Sequence, residues 1–315
     1  MIILLIIVVA FIFALLLNFL YKRTNAYNNQ FVDVRKFSSD GAIGNNIEIV
    51  NIGSNHPKFG LNYDGLDVKG ENWAVGPQTF EYDFTILRKY SSHLSPGAVV
   101  VVPVCLLSFF LFRQINRGLH VKYYSFLEPS EIVGYSKFEY FSRYVFPLFF
   151  HPRCLKSLLK DSANDSRLLL SENMCKSETD IEKDAQKWID GWNKEFGVEI
   201  PHPVLNSQHK DNVEKSIGEL RKILDYCLNN GFKPVVLILP VTRYLSCKFT
   251  NEFIENYVLN NISKANEAKV PVLNYLTDER FTNPSLFINS FFFNTKGRKE
   301  FTKQFVEDLR AQSIL

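Results

Sequence analysis

The stretch Gly53-Ser54-Asn55-His56 carries residue types that acyl-transfer chemistry needs. A serine hydroxyl is a weak nucleophile until an imidazole takes its proton, and that imidazole must itself be oriented. Ser54 offers the hydroxyl and His56 an imidazole two residues on. His56 acts as a base for it only where the turn folds back. The competing reading is that Ser54 and His56 hydrogen-bond the backbone of their own turn. The backbone bonds are the simpler expectation.

Other polar residues carry less. Asp64 and Asp67 lack metal-ligand partners at useful spacing and read as solvated turn residues. Arg243 could face an anionic ligand, but a structural ion pair is the simpler expectation. His202 and His209 show no zinc spacing, and the scattered Cys105, Cys154, Cys175, Cys227 and Cys247 form no CxxC; most are expected to be buried thiols filling space. The glycines build neither a P-loop nor GxGxxG. No metal and no cofactor is expected. Thirty-six basic against 33 acidic residues give a net charge of +3, too balanced for a nucleic-acid partner.

The elements that must position these residues follow from hydropathy. Residues 47–52 read as a buried strand ending at Gly53, and residues 98–104 as a Val-rich strand after a Pro96-Gly97 turn. Residues 234–240 and 270–275 read as further strands. Helices are expected over residues 77–93, with Phe80, Phe84, Leu87 and Tyr90 on one stripe, and over 178–196, 212–230, 253–268 and 296–312. Strands alternating with helices predict an α/β fold with a parallel sheet covered on both faces. Ligands bind such sheets at the carboxyl ends of the strands. There lie the Gly53–His56 turn, the stretch from Pro103, and the loop over residues 278–294.

Residues 2–17 are uninterrupted apolar side chains, extended past Asn18 by Phe19, Leu20 and Tyr21. At ~1.5 Å per residue this crosses a ~30 Å hydrocarbon core. No Lys or Arg precedes the run, which favours a retained transmembrane anchor (residues 1–21) over a cleaved signal peptide. A polar connector (22–46) leads to a domain over residues 47–315, with a helical insertion at about 106–207 whose aromatics either pack on the sheet or form a lid or membrane-facing surface over the strand ends. Lys22, Arg23, Arg35 and Lys36 follow the span, and the positive-inside rule would hold that side in the cytoplasm.

Three blocks carry a family resemblance. IVNIGSNHPKFGLNYDGL resembles the first block of the SGNH/GDSL hydrolases, in the branch associated with cell-surface polysaccharide modification. ENWAVGPQTFEYDFTIL is similar to that branch's second block. LFINSFFFNTKGRKEFT is similar to its last, where F-x-D-S-D-H-L-N-x-x-G is expected. The resemblance covers most of residues 47–312 outside the insertion. It implies a flavodoxin-like three-layer sandwich, a glycan or acyl-donor ligand, a membrane acyltransferase partner and an extracytoplasmic domain, against the charge rule.

The family serine falls on Asn55, its Asp on Asn289 and its His on Phe292. None of the three can perform its role, and losing one triad member costs orders of magnitude in rate. Gly53, Asn72, Asn294 and Gly297 keep the framework. The expected ligand pocket comprises Gly53, Ser54, Asn55, His56, Asn72, Asn289, Phe292 and Asn294. Adjacent side chains on an extended segment face opposite ways, so Ser54 does not simply replace Asn55. The resemblance therefore implies a scaffold without hydrolase activity. The alternatives are an esterase or O-acyltransferase using Ser54 and His56, and a non-catalytic interaction module.

Overall fold

The computed structural model describes residues 1–38, 43–110, 117–159 and 177–315. Cys175, part of the 22–46 connector and the middle of the expected insertion lie outside the described residues. The chain divides into two compact units, Met1–Ile43 with Asn116–Leu169, and Gly44–Ile115 with Leu170–Leu315.

In the first unit, helix α1 (Ile2–Lys22) is long and apolar enough to cross a membrane, and every side chain from Ile2 to Phe13 is exposed. The expected connector is not a bare linker. Asn25–Asn28 and Asn29–Phe37 form short helices that bury Tyr27, Val34 and Phe37. Their apolar residues recur every three or four positions, a helical stripe that needs a partner. Phe37 stacks on Phe126 at 5.2 Å, and the Tyr27 hydroxyl donates to the Tyr144 carbonyl at 2.9 Å.

The second unit is the α/β fold. Its strands are β1 (Ile47–Asn51), β2 (Gly70–Asn72), β3 (Leu94–Pro103), β4 (Lys233–Ile238) and β5 (Val272–Asn274). All pair in parallel in the order β2-β1-β3-β4-β5. That order reverses between β1 and β3, the switch point where open parallel sheets leave a crevice. Its helices include α2 (Asn55–Gly60), α3 (Phe80–Tyr90), α4 (Glu178–Phe196), α5 (Ser207–Asn229) and α6 (Thr295–Ala311).

Alternation along the strands sets the layers. Val99, Val101, Val235 and Leu237 pack with Phe301, Phe305 and Leu309 of α6. Val100, Val102, Val236 and Ile238 are buried on the opposite face, where α5 lies against β4 and α3.

Several expectations need correction. Pro96-Gly97 lies inside β3 rather than before it, at a register shift where Gly97 takes φ +74°. A β-bulge accommodates the extra residues. Helix α3 starts at Phe80 because residues 77–79 are held in the loop by the Gln78 N–H bond to Ser54. Its buried face carries Asp83 and Ile86, while Phe84 and Tyr90 are half-buried. The helix over Asn251–Phe253 continues through a wider turn at Ile254–Leu259 to Ala265 and stops there. Asn266 then turns its side chain onto both backbone groups of Val270. Cys227 is buried, but Cys247 is exposed. Of the expected insertion, residues 117–159 belong to the first unit and α4 to the second.

Candidate functional site

A cavity of about 170 Å³ opens beyond the carboxyl ends of β1 and β3. Its floor is the turn leaving β1. Gly53 adopts φ +115°, a conformation open to glycine, and a Cβ there would lie 2.6 Å from Pro57. The turn feeds α2, so Ser54, Asn55 and His56 all line the cavity.

None of the three forms a nucleophile–base pair. Ser54 Oγ accepts from the Gln78 N–H at 3.0 Å. His56 Nε2 lies 3.3 Å from the Pro240 carbonyl, so Nε2 carries the proton and donates, while buried Nδ1 has no partner. Burial drives the His56 pKa down to about 4, against the smaller upward pull of that bond, so the ring is neutral. Asn55 points at Gly76, where any Cβ would overlap its Oδ1.

Asp83 closes the polar end. Its Oδ1 accepts from the Gly53 N–H at 2.8 Å and from Gln78 Nε2. Burial raises its pKa to about 7, and these two bonds only partly oppose the rise. Glu195 also lines the cavity, with its pKa raised by burial. Burial likewise raises the Cys105 thiol, which leaves it a poor nucleophile.

Aromatic rings form the opposite wall. Trp188 and Trp192 sit one turn apart on α4, 5.2 and 5.4 Å from Phe291. Phe291 packs on His56 at 4.3 Å and Phe292 on Phe59 at 5.0 Å. Asp184 ties this wall together. One of its oxygens accepts from Trp188 Nε1 at 3.2 Å and from Ser290 N–H and Oγ–H at 2.9 and 2.8 Å.

Of the expected pocket residues, Gly53, Ser54, Asn55, His56 and Phe292 share this cavity. Asn72, Asn289 and Asn294 brace backbone instead. Asn72 Nδ2 donates to the Pro57 and Leu61 carbonyls at 2.9 Å. Asn289 Oδ1 accepts from Phe291 and Phe292 N–H at 2.9 and 2.7 Å. Asn294 caps α6 by accepting from Gly297 N–H at 2.9 Å. Gly297 has no room for a side chain, because a Cβ would overlap the Leu286 carbonyl. Arg243 pairs with Glu178 at 3.2 Å, Asp64 and Asp67 are exposed, and His209 closes a capping box with Asn206.

Sequence reasoning missed Asp83, Gln78, Asp184, Trp188 and Trp192. One signal was available. Asp83 sits between Phe80 and Leu87 at helical spacing, a carboxylate on an apolar face. No protein-family model matches this chain, and no curated protein is significantly similar to it.

Proposed function

We propose that the α/β unit is a membrane-tethered, SGNH-hydrolase-like domain that binds an acylated glycan without hydrolysing it. It would serve a membrane acyltransferase in O-acyl modification of cell-surface polysaccharide, on the extracytoplasmic side. One observation carries the reading. In the cavity at the strand ends, the positions aligned with nucleophile and base hold Asn55 and Phe292, and His56 bonds a backbone carbonyl rather than a hydroxyl. Among the described residues, no imidazole therefore bonds Ser54 to activate it.

What remains suits binding. The rings of Trp188, Trp192, Phe291 and Phe292 offer apolar faces to the C–H face of a sugar, and Ser54, Asn55 and Asp83 offer hydrogen bonds for its hydroxyls. The cavity is on the scale of a single pyranose ring and is not packed shut, which favours ligand binding over a purely structural module. Phe293, third in the Phe291–Phe293 run, turns into the core against Phe287 and Phe301.

The test uses the full chain in lipid nanodiscs. Partly O-acetylated oligosaccharides are expected to bind, with Trp188→Ala abolishing binding and p-nitrophenyl acetate left unhydrolysed. Turnover that vanishes in Ser54→Ala would replace this reading with an esterase. Combining Asn55→Ser, Asn289→Asp and Phe292→His is expected to create measurable ester turnover. No gain in a folded triple variant would remove the hydrolase ancestry of the cavity.

A further inference from the structure

The first unit exposes an unusual set of side chains. Phe138, Phe141, Phe149, Phe150, Leu155 and Leu159 are 63, 48, 44, 47, 41 and 92% exposed. Large apolar side chains grouped in this way mark an interaction surface. Their positions along α1 say which one. Lys22 Nζ lies 5.1 Å from the Tyr144 ring, at the carboxyl end of α1. Asn18, one turn deeper, is buried, and its side chain donates to the Val145 carbonyl and accepts from Leu148 N–H. Phe11 meets Phe149 at 6.4 Å, deeper again. The chain then returns, and Cys154 packs with Tyr21.

From Lys22 to Phe11 the helix rises roughly 16 Å, so a Phe reaching Phe11 enters the hydrocarbon of any bilayer that α1 spans. Asn18 fits this geometry. Its amide satisfies backbone groups at the bend that water could not reach. Residues 137–159 also carry Lys137, Arg143, Arg153 and Lys156 against a single acid, Glu139, which pairs with Arg143. Apolar rings with basic residues suit the boundary of anionic lipid.

We infer that residues 138–159 form a wedge that dips beside α1 into one leaflet of the bilayer and returns, so that lipid covers its exposed phenylalanines. The wedge rests on α1 spanning the membrane, not on the ligand of the α/β cavity. All three native tryptophans, Trp73, Trp188 and Trp192, lie in the other unit and give a constant background.

Phe149→Trp in the full chain, reconstituted in phosphatidylcholine–phosphatidylglycerol vesicles, tests it. With brominated acyl chains the added emission is expected to fall at least roughly twofold, both in this variant and in Phe11→Trp. Quenching of Phe11→Trp without Phe149→Trp overturns the wedge and leaves that face to water or to protein, including a second copy. Quenching of neither removes the spanning helix and the wedge with it.

Discussion

The two units use the same residue type in opposite ways. Around the cavity, Phe291 and Trp192 are 7 and 9% exposed and lean on one another, on Trp188 and on His56. Along residues 138–150 of the first unit, four phenylalanines are about half exposed. A count of 28 Phe says only that much aromatic surface needs covering. Neighbouring protein covers it in one unit; in the other, the surface continues that of an apolar helix. The lesson is that the environment of an aromatic residue is set by what packs on it, and only tertiary contacts supply that.

The largest break in this comparison comes from truncating one ring on each side. Phe293→Ala empties a site against Phe287 and Phe301 and is expected to cost about 3–5 kcal/mol. Denaturant unfolding followed by tryptophan emission measures it, since that signal comes from the α/β unit alone. Phe149→Ala is expected to leave the same transition in place. Equal losses from both would erase the contrast.

A second test separates two buried groups of the cavity by pH. Asp83's pKa is raised to about 7, so its contribution to stability is whole below about pH 4 and is lost as pH rises through 7. His56's pKa is lowered to about 4, so its contribution is present above about pH 6.5 and is lost as pH falls through 4. The two slopes oppose each other in the intervening range. Asp83→Asn is therefore expected to grow more stable from pH 4 to 6.5, and His56→Gln to grow less stable from pH 4 to 7, each by roughly 3–4 kcal/mol. Flat profiles in both variants would show that neither group is held as described.

The smallest effect concerns the brace rather than the cavity. Asn294→Ala removes the α6 cap and the bond to the Ser285 carbonyl, for an expected loss of about 1–2 kcal/mol. Ligand affinity in the folded variant is expected to stay unchanged. A selective loss of binding would put Asn294 in the site after all.

Much of the frame was legible. The apolar runs of β1, β3 and β4 read as buried parallel strands, and the α5 stripe of Val213, Ile217, Leu220, Leu224 and Cys227 is buried throughout. β2 was not legible, because Gly70–Asn72 is half-buried, three residues long and without an apolar side chain. At the site, the Gly53–His56 turn was found from the strand-end rule. The roles of Asn72, Asn289 and Asn294 were not, because an amide that braces backbone is written in the same letter as one that meets a ligand.

By itself the sequence determined the alternation of strands and helices, the apolar first helix and the Ser54-Asn55-His56 run after the first strand. These are local facts, carried by periodic burial and by identity at a position. Tertiary structure alone decided that Asp184 anchors Ser290, 106 residues away, and that His56 spends its proton on Pro240, 184 residues away. Such pairings depend on how distant segments close over one sheet, and no periodicity along the chain records them.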